Sequence, residues 1–215
     1  MLQRLFFALV LRPFVNGVMG KRVHGSENLP AEDPFLLVAN HDSHLDTPLL
    51  LSLFPGSRLS RIRPVAAADY WGSGLRRFVS EKLFRVLPIA RRGAEAGDSV
   101  ARMEEALDRG ESLILFPEGT RGDPEVLQPF RSGAARLASA RPRVPVVPVY
   151  LANTGRNLPR GSALFLPMIC DIWIGEPVAV DADVARTREA IEAGVRALAE
   201  KAEGPGRGGE SATRR

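Results

Sequence analysis

Two short, mainly apolar runs, residues 35–39 and 112–116, each break abruptly into a dense polar turn. Runs of this length bounded by turn residues read as buried strands. Similar runs at 64–67, 85–89 and 169–174, with a short one at 22–25, alternate with helical patterns at 49–54, 75–84, 98–109, 130–140 and 184–202. That alternation predicts an α/β domain: a mixed, partly parallel sheet flanked by helices. Residues 144–151 are extended, but Pro145 and Pro148 cannot donate to a ladder, so an edge or irregular strand is expected there.

The polar turns carry the chemistry. The first reads Asn40-His41-Asp42-Ser43-His44-Leu45-Asp46. Four residues separate His41 from Asp46, so an imidazole can meet the carboxylate that orients it and take a proton from a hydroxyl near neutral pH. The same residues also suit a plain helix N-cap at Ser43 or Asp46. The second turn, Pro117-Glu118-Gly119-Thr120-Arg121-Gly122, combines close-approach glycines with donors for phosphate oxygens, and Glu118 can fix the arginine or a substrate hydroxyl. Arg91 and Arg92 follow the run at 85–89, where a guanidinium can pair two anionic oxygens at once. His24 has no partner within sequence reach and reads as structural, and His44 reads as a bystander.

Composition narrows the partners. The net charge of +4 suits anionic surfaces or phosphorylated substrates. No aromatic-basic interleaving or zinc-finger pattern supports nucleic-acid binding. The one cysteine, Cys170, permits no intrachain disulfide and no cysteine metal cluster, so a reducing compartment is expected. At the N-terminus the uninterrupted apolar stretch 5–11 is well below the ~20 residues a spanning helix needs. Residues 1–21 are therefore expected to form an interfacial helix, with Phe6, Phe7, Leu9, Val10 and Phe14 in lipid and Arg4, Arg12, Lys21 and Arg22 at headgroups; the alternative is an ordinary core helix packed on the domain. A main domain over 22–203 and a disordered tail over 204–215 complete the expected organisation.

Taken in order, Asn40-His41-x-Ser43-x-x-Asp46, Ile89-x-Arg91, Phe116-Pro117-Glu118-Gly119-Thr120-Arg121 and Val144-Pro145-Val146-Val147-Pro148 resemble the glycerolipid acyltransferase superfamily, in particular its bacterial 1-acylglycerol-3-phosphate acyltransferases. The second motif departs from the pattern, lacking the usual aromatic lead-in, and Gly122 stands where the family often has serine. The resemblance covers about residues 22 to 180 and implies transfer of a fatty acyl group from acyl-CoA or acyl-carrier protein to the free hydroxyl of a lysophospholipid. It implies His41 as general base and Asp46 as its orienting carboxylate. Arg91 (or Arg92), Glu118, Gly119, Thr120 and Arg121 would hold the acceptor phosphate, with Asn40 and Ser43 shaping the turn. Neither metal nor cofactor is implied, and the enzyme would sit on the cytoplasmic face of a membrane. Other readings are a different acceptor (glycerol 3-phosphate, another lysolipid or an amino-acid lipid), a phospholipid-binding module without turnover, and a metal hydrolase using His41, Asp42, His44 and Asp46.

Overall fold

A computed structural model of the chain describes residues 2–67, 78–90, 96–157, 166 and 168–204. Among these residues one sheet is built from β1 (Lys21–His24), β2 (Leu36–Ala39), β3 (Ile62–Ala67), β4 (Leu87–Ile89), β5 (Ser112–Leu115), β6 (Val146–Ala152) and β7 (Cys170–Ile174). Its order is β1-β7-β6-β2-β5-β3-β4. Every pairing is parallel except β6 with β7, so the sheet is mixed and mostly parallel as expected. The helices are α1 (Leu2–Phe6), α2 (Asp46–Leu51), α3 (Ala96–Asp108), α4 (Gly133–Ala140), α5 (Thr154–Asn157) and α6 (Val184–Glu203). The helix expected over 75–84 is described only from Phe78, with wide π-helical turns at Val79–Leu83.

Side chains alternate across a strand, and both faces of this sheet are covered. Leu37, Ala39, Ile114, Val147 and Val149 face a core shared with the N-terminal helical run and α2. Leu36, Val38, Leu113, Leu115 and Val146 face the opposite core, filled by Met103 and Leu107 of α3, Leu137 of α4, and Ile191, Val195 and Leu198 of α6.

Two expectations are corrected. The proline-bearing strand β6 is central, between β7 and β2. Pro148 is tolerated there because its carbonyl accepts from Gly175 N–H, just past the end of β7, so its donorless edge interrupts no β7 ladder bond. The N-terminal run continues from α1 through π-helical turns at Phe7–Leu11 and Phe14–Met19, and it buries Gln3, Phe7, Leu11, Val15 and Met19. A strict four-residue spacing drifts by about 40° per step around an α-helix, and wider turns keep such a stripe facing one way. Phe7 is thus core, packed edge-on against Phe84, while Leu2, Leu5, Leu9, Val10 and Val18 are exposed. Three of the expected headgroup cations are bonded to the domain: Arg12 to the Phe54 carbonyl, Lys21 to Ser52, and the largely exposed Arg22 to Asp171.

Candidate active site

Parallel neighbours deliver the chain to the same edge of a sheet, and the crevice outside the carboxyl ends of such strands is where α/β folds bind ligands. β2 lies beside β5, so the turn after Ala39 and the turn after Leu115 emerge together. A cavity of about 600 Å³ opens there. His41, Phe116, Thr120 and Arg121 stand on its polar side; Val65, Val86, Ile89, Val100 and Met103 line an apolar side suited to an acyl chain.

His41 is held at four points. Its Nδ1 meets Asp46 Oδ2 at 2.8 Å, its ring stacks on Phe116 with centroids 4.2 Å apart, its N–H donates to Glu118 Oε1 at 2.9 Å, and its carbonyl accepts from Gly122 N–H at 2.9 Å. Asp46 is fully buried, and the same Oδ2 also accepts the backbone N–H groups of Asp42 and Ser43 at 2.8 and 2.9 Å. A carboxylate facing Nδ1 assigns the ring proton to that nitrogen, so Nε2 is the basic atom. Asp46 opens α2 as a carboxylate in a first helical turn, where the helix dipole favours its charge. Asn40 anchors the turn to β6, donating to Leu151 O and accepting from Leu151 N–H at 3.0 and 2.7 Å. Ser43 Oγ accepts from Leu45 N–H.

The second turn divides its labour. Glu118 points inward: Oε1 takes the His41 N–H and Oε2 the Gln128 N–H. Burial pushes its carboxyl up to about 7 despite those bonds. Both Glu118 oxygens are thus engaged by the backbone, linking the His41 turn to the loop at Gln128. Gly119 adopts a left-handed φ of +76°, which favours glycine, and Thr120 and Arg121 line the cavity. Arg91 and Arg92 lie outside the described residues, although Ala90, which precedes them, lines the cavity. His44 is an exposed part of the wall, whereas His24 stacks on Trp173 and meets Asp171 far along the sheet at β1.

Asp42 is a partner that spacing did not reveal. It is buried, and its Oδ2 accepts from Asn40 Nδ2 and from the Glu125 N–H, both at 3.2 Å. Burial, and then the charge of Asp46, push its carboxyl up to about 7. The loop it secures is pulled close: a Cβ on Gly155 would stand 3.1 Å from Asp42 Cβ and 3.0 Å from Pro124 Cβ. Glu125, at φ +63°, is also ion-paired to Arg156. Asp42 and Glu118 together staple the 122–130 loop to the His41 turn. Among the described residues, no group of three or more His, Cys, Asp or Glu side chains is placed to hold a metal ion.

The acyltransferase family's sequence profile matches residues 21–152, which contain both turns. The chain belongs to the acyltransferase family. It is 35% identical over 142 residues to a chloroplast 1-acyl-sn-glycerol-3-phosphate acyltransferase of Brassica napus, an alignment covering 65% of this chain and 39% of the relative. It is 35% identical over 136 residues to a lyso-ornithine lipid O-acyltransferase of Pseudomonas aeruginosa, covering 62% and 48%. The crystal structure of the 1-acyl-sn-glycerophosphate acyltransferase of Thermotoga maritima superposes with a TM-score of 0.69 at 26% identity, covering 83% of this chain and 70% of that one. The chain thus spans about half, or less, of the length of the curated relatives it matches.

Proposed function

We propose that this acyltransferase-family protein moves a fatty acyl group from acyl-CoA or acyl-carrier protein to the free hydroxyl of 1-acylglycerol 3-phosphate, as a step in phospholipid synthesis. The observation that carries the reading is the His41 Nδ1 to buried Asp46 contact of 2.8 Å at the wall of a cavity with one polar and one apolar side. Nε2 accepts the hydroxyl proton as the substrate oxygen attacks the thioester carbonyl carbon. The tetrahedral intermediate collapses with cleavage of the C–S bond, and the leaving thiolate recovers the proton from Nε2. Asp46 stabilises the transient imidazolium; no covalent acyl-enzyme and no cofactor is required. Thr120 and Arg121, with Arg91 or Arg92 beyond β4, hold the acceptor phosphate.

The proposal places the enzyme on the cytoplasmic face of a membrane, and the N-terminal run supports action at a membrane surface. Leu2–Met19 has 18 residues with a mean hydropathy of 1.2, enough by length and composition to cross a bilayer. Its Phe7–Leu11–Val15–Met19 stripe is nevertheless committed to the domain core, which favours a helix lying flat with its outer leucines in lipid.

Product analysis tests the function. Incubation with 1-acylglycerol 3-phosphate and either donor is expected to yield phosphatidic acid by mass spectrometry. Folded protein that yields none with both donors would contradict the proposal.

A further inference from the structure

Two arginines outside the motif-bearing turns, Arg131 and Arg136, stand in the cavity wall. Arg131 is tied to the second turn twice. Its N–H donates to the Pro117 carbonyl at 2.9 Å, and its side chain lies over Gly119, so that a Cβ there would be 2.8 Å from Arg131 Nε. The left-handed glycine therefore gives the guanidinium room beside Thr120 and Arg121. Arg136 follows on α4, whose N-terminal residues Ser132, Gly133 and Ala134 also line the cavity.

Arg4 and Arg12 rest on backbone carbonyls, whereas several other arginines are paired with carboxylates, as in Arg58 with Asp33, Arg63 with Glu111 and Arg141 with Asp108. Neither Arg131 nor Arg136 has such a partner among the described residues, and no described aspartate or glutamate lines the cavity. Cationic side chains gathered without counter-charge are built for an anionic ligand.

We infer that Arg131 and Arg136 form a second cationic arm that, with Arg121, binds the phosphomonoester of the acceptor and so selects a phosphate headgroup over a zwitterionic amino-acid headgroup. The inference rests on the acyltransferase reading. A phosphate dianion has more acceptor oxygens than one guanidinium can satisfy, and a second planar fork adds direction as well as charge. An ornithine-type headgroup would offer these arginines one monoanionic carboxylate, and its ammonium would find no described carboxylate in the cavity lining to receive it. Such a mismatch is how a site rejects the wrong partner. Arg131 lies against Gly119, in the turn proposed above to hold the acceptor, which is why the arm is given to the acceptor before the phosphates of CoA.

The experiment is steady-state kinetics on wild type, Arg131→Ala, Arg136→Ala and the double variant, varying 1-acylglycerol 3-phosphate, lyso-ornithine lipid and acyl-CoA in turn. Loss of a charged hydrogen bond predicts a KM for the phosphate acceptor raised by about tenfold or more in Arg131→Ala, and further in the double variant. The KM for acyl-CoA should stay within about twofold, and the KM for lyso-ornithine lipid should rise by a smaller factor than that for the phosphate acceptor, because its single carboxylate offers the arm less charge than a phosphate dianion. An unchanged acceptor KM, or a rise confined to acyl-CoA, would overturn the inference. Calorimetric titration with glycerol 3-phosphate separates the two levels. Binding by wild type that the double variant lacks, without any turnover, would retain the arm and reject the acyltransferase reading; no binding by wild type would reject the arm.

Discussion

Three carboxylates surround His41, and the atoms they use differ. Asp46 and Asp42 each accept all their recorded bonds on one oxygen, whereas Glu118 uses both. An amide can accept on one oxygen only. Asp46→Asn can therefore keep its three bonds while losing the charge that steadies the imidazolium. Its turnover should fall by about a hundredfold to ten-thousandfold with circular dichroism unchanged. Glu118→Gln must release the N–H of either His41 or Gln128. Since small misplacements of a catalytic group are costly, turnover should drop by up to about a hundredfold. Full activity in Glu118→Gln would mean that the link to His41 is not needed.

At the scale of the element, the N-terminal helix has two apolar faces with different tasks. Phe7→Ala empties a core position and should cost about 3–5 kcal/mol in chemical denaturation. Leu9 is 67% exposed, so Leu9→Asp should leave stability within about 0.5 kcal/mol yet weaken co-sedimentation with anionic lipid vesicles. Equal vesicle binding by Leu9→Asp and wild type would contradict the interfacial placement. The sequence distinguished these faces poorly, because both are apolar and a π-helical four-residue stripe does not follow the α-helical period. The strand-to-turn junctions after Ala39 and Leu115 were legible for the opposite reason: apolar runs stop within a residue of dense polar clusters. The central place of β6 was not legible, since whether Pro148 breaks a ladder depends on where its neighbour β7 ends. Arg131 and Arg136 carried no signal of their own, and Asp42 suggested only metal ligation. Asp42 gains its role only when the 122–130 loop folds back onto it, and the arginines gain theirs only when α4 and the second turn share a wall.

For the whole molecule, the acidic pair makes stability depend on pH. Asp42 and Glu118 are raised from the ordinary carboxylate range to about 7, so the native state holds protons that the unfolded chain has released. Stability should therefore be highest at about pH 4, decline as pH rises from there to about 7, then level off. Asp171 acts in the other direction: although burial opposes it, bonds from Arg22 and His24 hold its carboxyl low, and that stability is lost only in stronger acid. Asp42→Asn, which keeps both recorded bonds without charge, should raise Tm at pH 7.5 and flatten the decline. A Tm that climbs from pH 5 to 7.5 in wild type would contradict the burial of these groups as charges. Some stability above about pH 7 is thus given up to keep two buried carboxyl groups beside His41, where they hold its loop in place.

The central claim, that His41 removes the proton from an acceptor hydroxyl, is tested most directly by release of free thiol from acyl-CoA. Wild type and His41→Ala would be compared with and without 1-acylglycerol 3-phosphate. The mechanism predicts acceptor-dependent release by wild type and a loss of about ten-thousandfold in the variant, with its fold and Tm retained. Release by His41→Ala at the wild-type rate, or release by wild type that ignores the acceptor, would contradict it.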